Sequence, residues 1–266
     1  MSVASLAARV EGLGLVGPGF VGWGQAREVF CGRAQYSGNR TRIPSPEALP
    51  AVERRRAGNA VRISLAAGLE AAASAGRDAR DMGAVFASST GDGENVHAIC
   101  EMLASSDRLI SPTRFHNSVH NAPSGYWGIA TGSPRAADSL AAFDASFGAG
   151  VVEAMSRLAA HPDEPVLLIA YDTPYPEPLR ATRPIPDAFA VALALASSQE
   201  SGRGTTITLE SGAREPDVLD DPLLEALRRA VPAARSLPLL RLLAREQEGQ
   251  TTLDYLEGLS LTVRCS

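Results

Sequence analysis

Apolar residues along the chain fall into short continuous runs and longer stretches with a helical repeat. The runs at 82–88, 165–171 and 189–196 have the length of strands that are buried on both faces. Apolar and small side chains recur every three or four positions over 51–75, which predicts a helix with one buried face, and 145–160 predicts a strongly apolar helix. Strands that alternate with helices of this length are typical of layered α/β proteins, so we expect a mixed, largely parallel sheet between helices.

Weaker patterns predict the remaining elements. Expected strands contain apolar or β-branched residues and lie at 11–20, 137–143, 205–209 and 259–263. Expected helices lie at 95–104, 124–131 and 221–230, the last with a continuation after Pro238. Clusters of glycine, proline and polar residues predict loops at 21–50, 111–123 and 173–186.

Composition and charge limit the classes of function. Hydrophobic residues make up 45% and charged residues 21% of the 266 residues, as in globular proteins. The net charge of -5 argues against a nucleic-acid partner, although all 25 basic residues are arginine. The three cysteines are scattered, which indicates a reducing, cytoplasmic location, and we expect neither a signal peptide nor a membrane-spanning segment.

A glycine-rich segment near the start fits the GxGxxG pattern of dinucleotide-binding folds. It runs from Gly12 to Gly17, and such a pattern holds a pyrophosphate only where a strand precedes the glycines and a helix begins after them. Pro18 interrupts the expected helix. The segment is therefore predicted to be a glycine-rich strand and turn, and no cofactor is expected.

The histidines give only a weak indication of a metal site. His116 and His120 are four positions apart, but they lie in a predicted loop and have no neighbouring carboxylate. A pair of this kind is convincing only on one face of a helix. We therefore expect no metal, and predict that these side chains make hydrogen bonds in the loop or line a pocket.

The turn between the predicted strand at 137–143 and the helix at 145–160 is the main candidate for chemistry. In α/β enzymes an activated nucleophile lies at such a turn, where the helix dipole stabilises negative charge. Ser146 is one candidate, as the nucleophile of an acyl hydrolase or transferase, although Asp144 stands where the GxSxG pattern has its first glycine. Asp144 itself is interpreted as a residue in place of a lost nucleophile or, most simply, as the cap of the helix.

The segment from Ser111 to Gly125 resembles a motif of β-ketoacyl synthases. Its sequence, SPTRFHNSVHNAPSG, is similar to the family's SPxxFxxSVxNxxAG. Other features of the sequence stand in the same order as in the family. A helix with ERRR near its start and a strand that ends in STGDG precede the motif, and a GSP turn and then the strand-to-helix turn come after it. The resemblance covers residues 10–198 and implies half of a thiolase-like fold, with a ketosynthase-like domain at 1–198 and a short α/β tail at 199–266 packed on it.

The catalytic residues of ketosynthases are missing from this sequence. The family has a cysteine nucleophile at the turn, and the resemblance aligns Asp144 with it. Its two catalytic histidines belong to later motifs, whereas no histidine follows His161 here. A ketosynthase-like chain without these groups resembles a chain length factor, the non-catalytic subunit that pairs with an active ketosynthase and shapes its acyl tunnel. The sequence of residues 118–127, SVHNAPSGYW, resembles that of the corresponding subunits of aryl-polyene-type pathways.

The resemblance implies two partners and a contact surface. The partners are a ketosynthase subunit, in a heterodimer, and an acyl carrier protein that holds a polyene or polyketide chain. Contacts are expected at 117–129 and 137–143, and the chain is expected to be poorly soluble alone. The predicted tunnel or interface residues are Phe115, His116, Asn117, Val119, His120, Asn121, Trp127, Phe143 and Phe147. Two alternatives stay open: an acyl hydrolase or transferase that uses Ser146, and a free-standing acyl-binding or assembly protein.

Overall fold

A computed structural model describes residues 5–199 and 202–266. Its strands are β1 (Leu6–Val16), β2 (Gly83–Ala87), β3 (Ala137–Leu140), β4 (Val166–Asp172), β5 (Phe189–Ala196), β6 (Thr205–Gly212), β7 (Gly249–Asp254) and β8 (Ser260–Cys265). Its α-helices are α1 (Trp23–Phe30), α2 (Ala51–Arg56), α3 (Asn59–Ser74), α4 (Gly93–Ala104), α5 (Pro112–Asn117), α6 (Ala122–Thr131), α7 (Ser146–Ala160), α8 (Leu179–Thr182), α9 (Pro222–Ala230) and α10 (Leu237–Ala244). Within the described ranges, none of these helices is both long and apolar enough to cross a bilayer.

The strands of the described residues join one mixed sheet, in the order β3-β2-β4-β5-β1-β6-β8-β7. Here β2 pairs in parallel with β3 on one side and with β4 on the other, while the other pairings are antiparallel. The prediction of a mixed sheet is confirmed, but the prediction that it is largely parallel is wrong. A parallel neighbour requires a long crossover, usually a helix, whereas the loop after β4 holds the four-residue α8 and brings β5 back in the opposite direction.

Helices cover both faces of the sheet, which confirms the predicted layered α/β/α fold. Alternate residues of β4 point to opposite faces of the sheet. Leu167 and Ile169 belong to the core beneath α3 and α6. Leu168 and Ala170 belong to the core on the other face, beneath α7. All of β4 is therefore buried, as its continuous apolar run predicted.

The predicted helix at 51–75 is two helices, because the chain leaves the helical conformation between α2 and α3. Ala57 and Gly58 both have extended backbone. A Cβ at position 58 would lie 2.5 Å from Oδ2 of Asp92. The glycine thus allows the acidic residue that caps α4 to approach the start of α3.

Four helices and strands lie where the sequence predicted no regular structure. They are α1 within the predicted loop at 21–50, α5 within 111–123, α8 within 173–186, and β7 before the last strand. No side chain caps α1 from within its own sequence neighbourhood. Instead, Glu70 of α3 accepts a hydrogen bond from the backbone N–H of Trp23 at 2.6 Å, from 47 positions along the chain. A contact over this separation leaves no local signal in the sequence.

The glycine-rich segment forms the end of β1, and its glycines allow the strand to lie directly on α3. A Cβ at Gly12 would be 2.2 Å from the carbonyl oxygen of Ala71, and one at Gly14 would be 2.0 Å from that of Ala67. Burial raises the pKa of Glu70, whose carboxylate occupies the start of α1. That position is where a dinucleotide-binding fold would hold its phosphate. Packing between strand and helix therefore explains the glycine pattern.

The tail continues the same sheet and core. β6 pairs with the first half of β1, and β8 pairs with β6. Leucines of α9 and α10 join the core on the α7 face of the sheet. The division of the chain into 1–198 and 199–266 stays a prediction.

Candidate functional site

The candidate site is the turn that connects β3, on the edge of the sheet, to α7. The strand is shorter than predicted and ends at Leu140; a 3-10 turn at Phe143–Ala145 follows, and α7 begins at Ser146. Phe143 has a φ of 52°, in the left-handed region that bulky residues rarely adopt. Its side chain is 63% exposed. The strained, outward-facing position of this turn therefore belongs to Phe143 and not to Asp144.

Asp144 binds two arginines from other parts of the chain. Its Oδ1 lies 2.5 Å from Nη2 of Arg183, and its Oδ2 lies 3.0 Å from Nη2 of Arg235. The guanidinium of Arg183 also stacks on the ring of Phe143, with Cζ 3.7 Å from the ring centroid. Among the residues that the structure describes, no side chain caps α7. The prediction that Asp144 caps this helix is therefore wrong, because both of its oxygens face arginines.

Ser146 closes the turn with its hydroxyl group and is only 1% exposed. The hydroxyl donates a hydrogen bond to the carbonyl of Phe143 at 2.7 Å and accepts one from the backbone N–H of Ala142 at 3.0 Å. A nucleophilic serine needs a general base within hydrogen-bond reach. In the described part of the chain, no histidine is hydrogen-bonded to this hydroxyl. The geometry gives Ser146 a structural role in the turn.

We expect Ser146 to resist acylation. The purified chain, incubated with acyl carrier protein thioesters or with a fluorophosphonate probe, should show no added mass in intact mass spectrometry, because the hydroxyl proton is engaged and buried. A Ser146→Ala variant is the matched control, since it removes the only nucleophile at the centre of the hydrolase hypothesis. Labelling of the wild type that disappears in Ser146→Ala would identify this chain as an acyl hydrolase or transferase.

Asp172, at the end of β4, joins three segments near the turn. Its carboxylate accepts hydrogen bonds from the N–H and the hydroxyl of Ser89, at 2.9 and 2.6 Å, and from the N–H of Ala233 at 2.8 Å. Complete burial raises the pKa of Asp172 to about 6, although these hydrogen bonds and the positive charge of Arg183 act in the opposite direction. Asp172 therefore ties β2 and the 3-10 segment Pro232–Ser236 to the end of β4.

The stability of the chain should depend on pH through Asp172. Because its pKa rises from 3.8 to about 6 on folding, the folded state holds the proton more tightly. The free energy of unfolding should therefore fall as pH rises from about 4 to about 6, by on the order of 3 kcal/mol from this group. Urea unfolding followed by circular dichroism measures this slope. Asp172→Asn lowers the overall stability but should flatten the slope; equal slopes in both proteins would contradict the prediction.

Several of the predicted tunnel or interface residues are exposed. Phe115 is 66% exposed, and Val119 and Phe143, the latter in the turn after β3, are also exposed. His116 and Asn121 are exposed as well.

The other predicted residues lie inside the fold. Trp127 and Phe147 are buried in the cores on opposite faces of the sheet. Asn117 is buried, and its amide donates to the carbonyl of Arg56 at 2.8 Å. His120 is half-buried, with Nε2 3.1 Å from the carbonyl oxygen of Ser88. Trp127, Phe147 and Asn117 therefore offer no exposed surface in the isolated chain, and their assignment to the tunnel or interface stays a prediction.

Six large apolar side chains between residues 96 and 129 are exposed to solvent, and together they are here called the open flank. The outer edge of β3 has no neighbouring strand among the described residues, and α6 packs next to it. Although α4 is rich in apolar residues, Gly93 and Asn95 are its buried positions. The open flank consists of the exposed residues Val96, Leu103, Leu109, Phe115, Val119 and Ile129.

Comparison with known proteins identifies the family. The model of the β-ketoacyl synthase N-terminal domain matches residues 31–255, and the chain belongs to this family. A search of curated proteins finds no match.

Solved structures share the fold. One chain of a ketosynthase (ApeO) in complex with its chain length factor (ApeC) from Xenorhabdus doucetiae is 21% identical, with a TM-score of 0.71, and the match covers 97% of this chain and 99% of that chain. The ishigamide ketosynthase/chain length factor matches with 13% identity, a TM-score of 0.72 and coverage of 98% and 99%. The AntDE:AntF complex, a type II PKS acyl-carrier protein with its ketosynthase, matches with 10% identity, a TM-score of 0.74 and coverage of 99% of both chains. The thiolase-like fold implied by the sequence is confirmed.

Proposed function

We propose that this chain is a non-catalytic subunit like a chain length factor, which pairs with an active β-ketoacyl synthase and shapes the tunnel in which an acyl chain grows. The observations that carry the proposal are the exposed apolar side chains of the open flank and the outer edge of β3, which no strand of the described residues covers. Two of the similar structures are described as ketosynthases with their chain length factors, which supports a heterodimer of this kind.

The open flank has the properties of a permanent interface. Large contiguous apolar patches are rare on proteins that act as monomers. A free strand edge also presents unpaired N–H and C=O groups, which a second chain can bind. Obligate interfaces commonly bury more than ~2,000 Å² and are apolar. A partner that covers α4, α5 and β3 would bury the exposed apolar side chains and pair with the free strand edge. Without that partner the chain should be poorly soluble.

The turn supports a non-catalytic role. A ketosynthase holds its acyl chain on a cysteine thiol at this turn, whereas Phe143 and Asp144 stand here and the Asp144 carboxylate is held in two ion pairs. The hydroxyl of Ser146 is engaged in closing the turn. Elongation would therefore depend on the cysteine and the two histidines of the partner ketosynthase.

The proposed substrate is an acyl chain carried as a thioester on an acyl carrier protein. The AntDE:AntF structure contains a protein of that class bound to its ketosynthase. The resemblance of residues 118–127 to aryl-polyene-type pathways favours a polyene product.

Reconstitution tests the division of labour between the subunits. The chain is co-expressed with a ketosynthase that has its cysteine and both histidines, and elongation of acyl carrier protein thioesters is followed by mass spectrometry. Product should form only when both subunits are present, and replacing the cysteine of the ketosynthase by alanine should abolish it. Product formed by this chain alone, or by the complex without that cysteine, would make this chain the catalyst and refute the proposal.

Phe115 is proposed to limit the length of the product. Because its side chain is exposed in the isolated chain, Phe115→Ala should not disturb the fold. In the complex, loss of the ring would leave a void of about its own volume, which a longer acyl chain could enter. We expect longer products from the Phe115→Ala complex and unchanged products from Val218→Ala, an exposed residue of the tail. Unchanged length in a fully assembled Phe115→Ala complex would contradict this role.

A free-standing acyl-binding protein is the other alternative to a paired subunit. Such a protein would not need the open flank to be covered, so it should stay monomeric and soluble at micromolar concentration. Sedimentation velocity of the isolated chain separates this alternative from the proposed heterodimer.

A further inference from the structure

Resting on the proposed function, we infer that Phe143 is a contact residue for the ketosynthase partner, and that Asp144 and Arg183 are positioning residues which hold its ring outward. The observation behind this inference is a bulky aromatic residue that is both exposed and held in a left-handed conformation. A conformation of this kind persists only when the surrounding structure enforces it, and it is common at functional sites.

Arg183 connects the two residues of the turn. Its guanidinium binds the carboxylate of Asp144 at 2.5 Å and covers the ring of Phe143 at 3.7 Å. The same cation therefore fixes the backbone through Asp144 and orients the ring by a cation–π contact. The remaining surface of the ring faces solvent, since 63% of the side chain is exposed.

The ion pairs continue into the tail, which makes the turn rigid. Arg235 binds the second oxygen of Asp144 and also approaches Asp254 of β7 at 3.7 Å. Arg228 of α9 binds Asp254 as well, and pairs with Glu225 at 2.8 Å. Asp144 is thus tied to α9 and β7 through charges that are mostly shielded from water. Aromatic side chains held in advance in their bound geometry lose little entropy when a partner covers them.

The position of Phe143 indicates which partner covers it. It follows β3 by three residues, and the outer edge of β3 forms part of the proposed ketosynthase interface. A chain that pairs along this edge in the direction of the turn meets the ring of Phe143 next.

Affinity measurements on four forms of the chain test this inference. The forms are wild type, Phe143→Gly, Asp144→Asn and the double variant, with Val218→Gly as a control at an exposed apolar position of the tail. We expect Phe143→Gly to weaken binding to the ketosynthase by at least ~10-fold. Its thermal midpoint should match or exceed that of the wild type, because glycine adopts positive φ without strain. A merely structural role would not raise stability while lowering affinity.

The double variant tests whether Asp144 acts through the ring. Asp144→Asn should weaken binding by less than Phe143→Gly, and the double variant should bind no more weakly than Phe143→Gly alone, since Asp144 and Arg183 then have no ring left to position. Wild-type affinity in Phe143→Gly, or fully additive losses in the double variant, would overturn the inference and leave the proposed function standing. Absence of binding by the wild type would instead refute the proposed function, and this inference with it.

Discussion

Replacing Phe115 by aspartate is expected to weaken binding to the ketosynthase subunit by ~100-fold or more, because the variant would bury an unpaired carboxylate in an apolar interface. The side chain is 66% exposed in the isolated chain, so the same change should leave its fold and thermal midpoint almost unchanged. Biolayer interferometry with the immobilised ketosynthase measures the affinity, and circular dichroism measures the fold. The combination of a large loss of affinity and a small loss of stability is specific to an interface residue.

Val218→Asp is the matched control for this prediction. Val218 is also exposed and apolar, but it lies in the tail, before α9 and away in sequence from the open flank. A charge there should change neither affinity nor fold. Equal losses at both positions would show that added charge acts non-specifically, and wild-type affinity in Phe115→Asp would remove the open flank from the interface.

Trp127→Ala should have the opposite pattern, with a large loss of stability. Trp127 is 1% exposed and packs against Phe86 at a ring-centroid distance of 6.2 Å. A Cβ at Gly68 would lie 2.7 Å from Cζ3 of the indole, so helix α3 lies directly on the ring. Removing a buried aromatic side chain of this size costs ~3–5 kcal/mol.

Urea unfolding of Trp127→Ala, with Phe115→Ala as the matched control, measures this loss. The control should change the free energy of unfolding by less than ~0.5 kcal/mol, because its side chain faces solvent. The two residues lie close together in the sequence, so the comparison separates core from surface within one short stretch of the chain. A loss below ~1 kcal/mol in Trp127→Ala would mean that the indole is not the core residue that the structure describes.

The buried strands could be predicted because their signal is local. The apolar runs at 82–88, 165–171 and 189–196 became β2, β4 and β5 with boundaries shifted by at most one residue. An apolar run of this length has few places in a fold other than the centre of a sheet. The direction of β5 was not predictable in the same way, because it depends on how the loop after β4 returns to the sheet.

The candidate site could be located from the sequence but not described. A strand followed by small residues and an apolar helix indicated the turn, and its sharpness is confirmed by the φ of Phe143. The partners of Asp144 could not be predicted, because Arg183 and Arg235 lie 39 and 91 positions further along the chain. Nothing in the local pattern distinguishes these arginines from the others of the chain. An acidic residue before a helix therefore indicated a cap, whereas distant cations determined its role.

Which residues of the motif at 111–125 are exposed and which are buried could also be learned only from the structure. Phe115 and Asn117 are two positions apart, yet one faces solvent and the other is buried. Because α5 is a short helix, neighbouring side chains point in different directions, and a predicted loop carries no such periodicity. The family resemblance alone could not sort these residues into surface and core.

Native mass spectrometry of the co-expressed pair tests the central claim most directly. The chain and a ketosynthase with an intact cysteine and both histidines are purified through a tag on the ketosynthase alone, and the mass of the assembly is measured without denaturation. We predict a complex with equal numbers of the two chains, and its loss in Phe115→Asp. A ketosynthase recovered without this chain, together with a stable monomer of this chain at micromolar concentration, would contradict the proposed heterodimer.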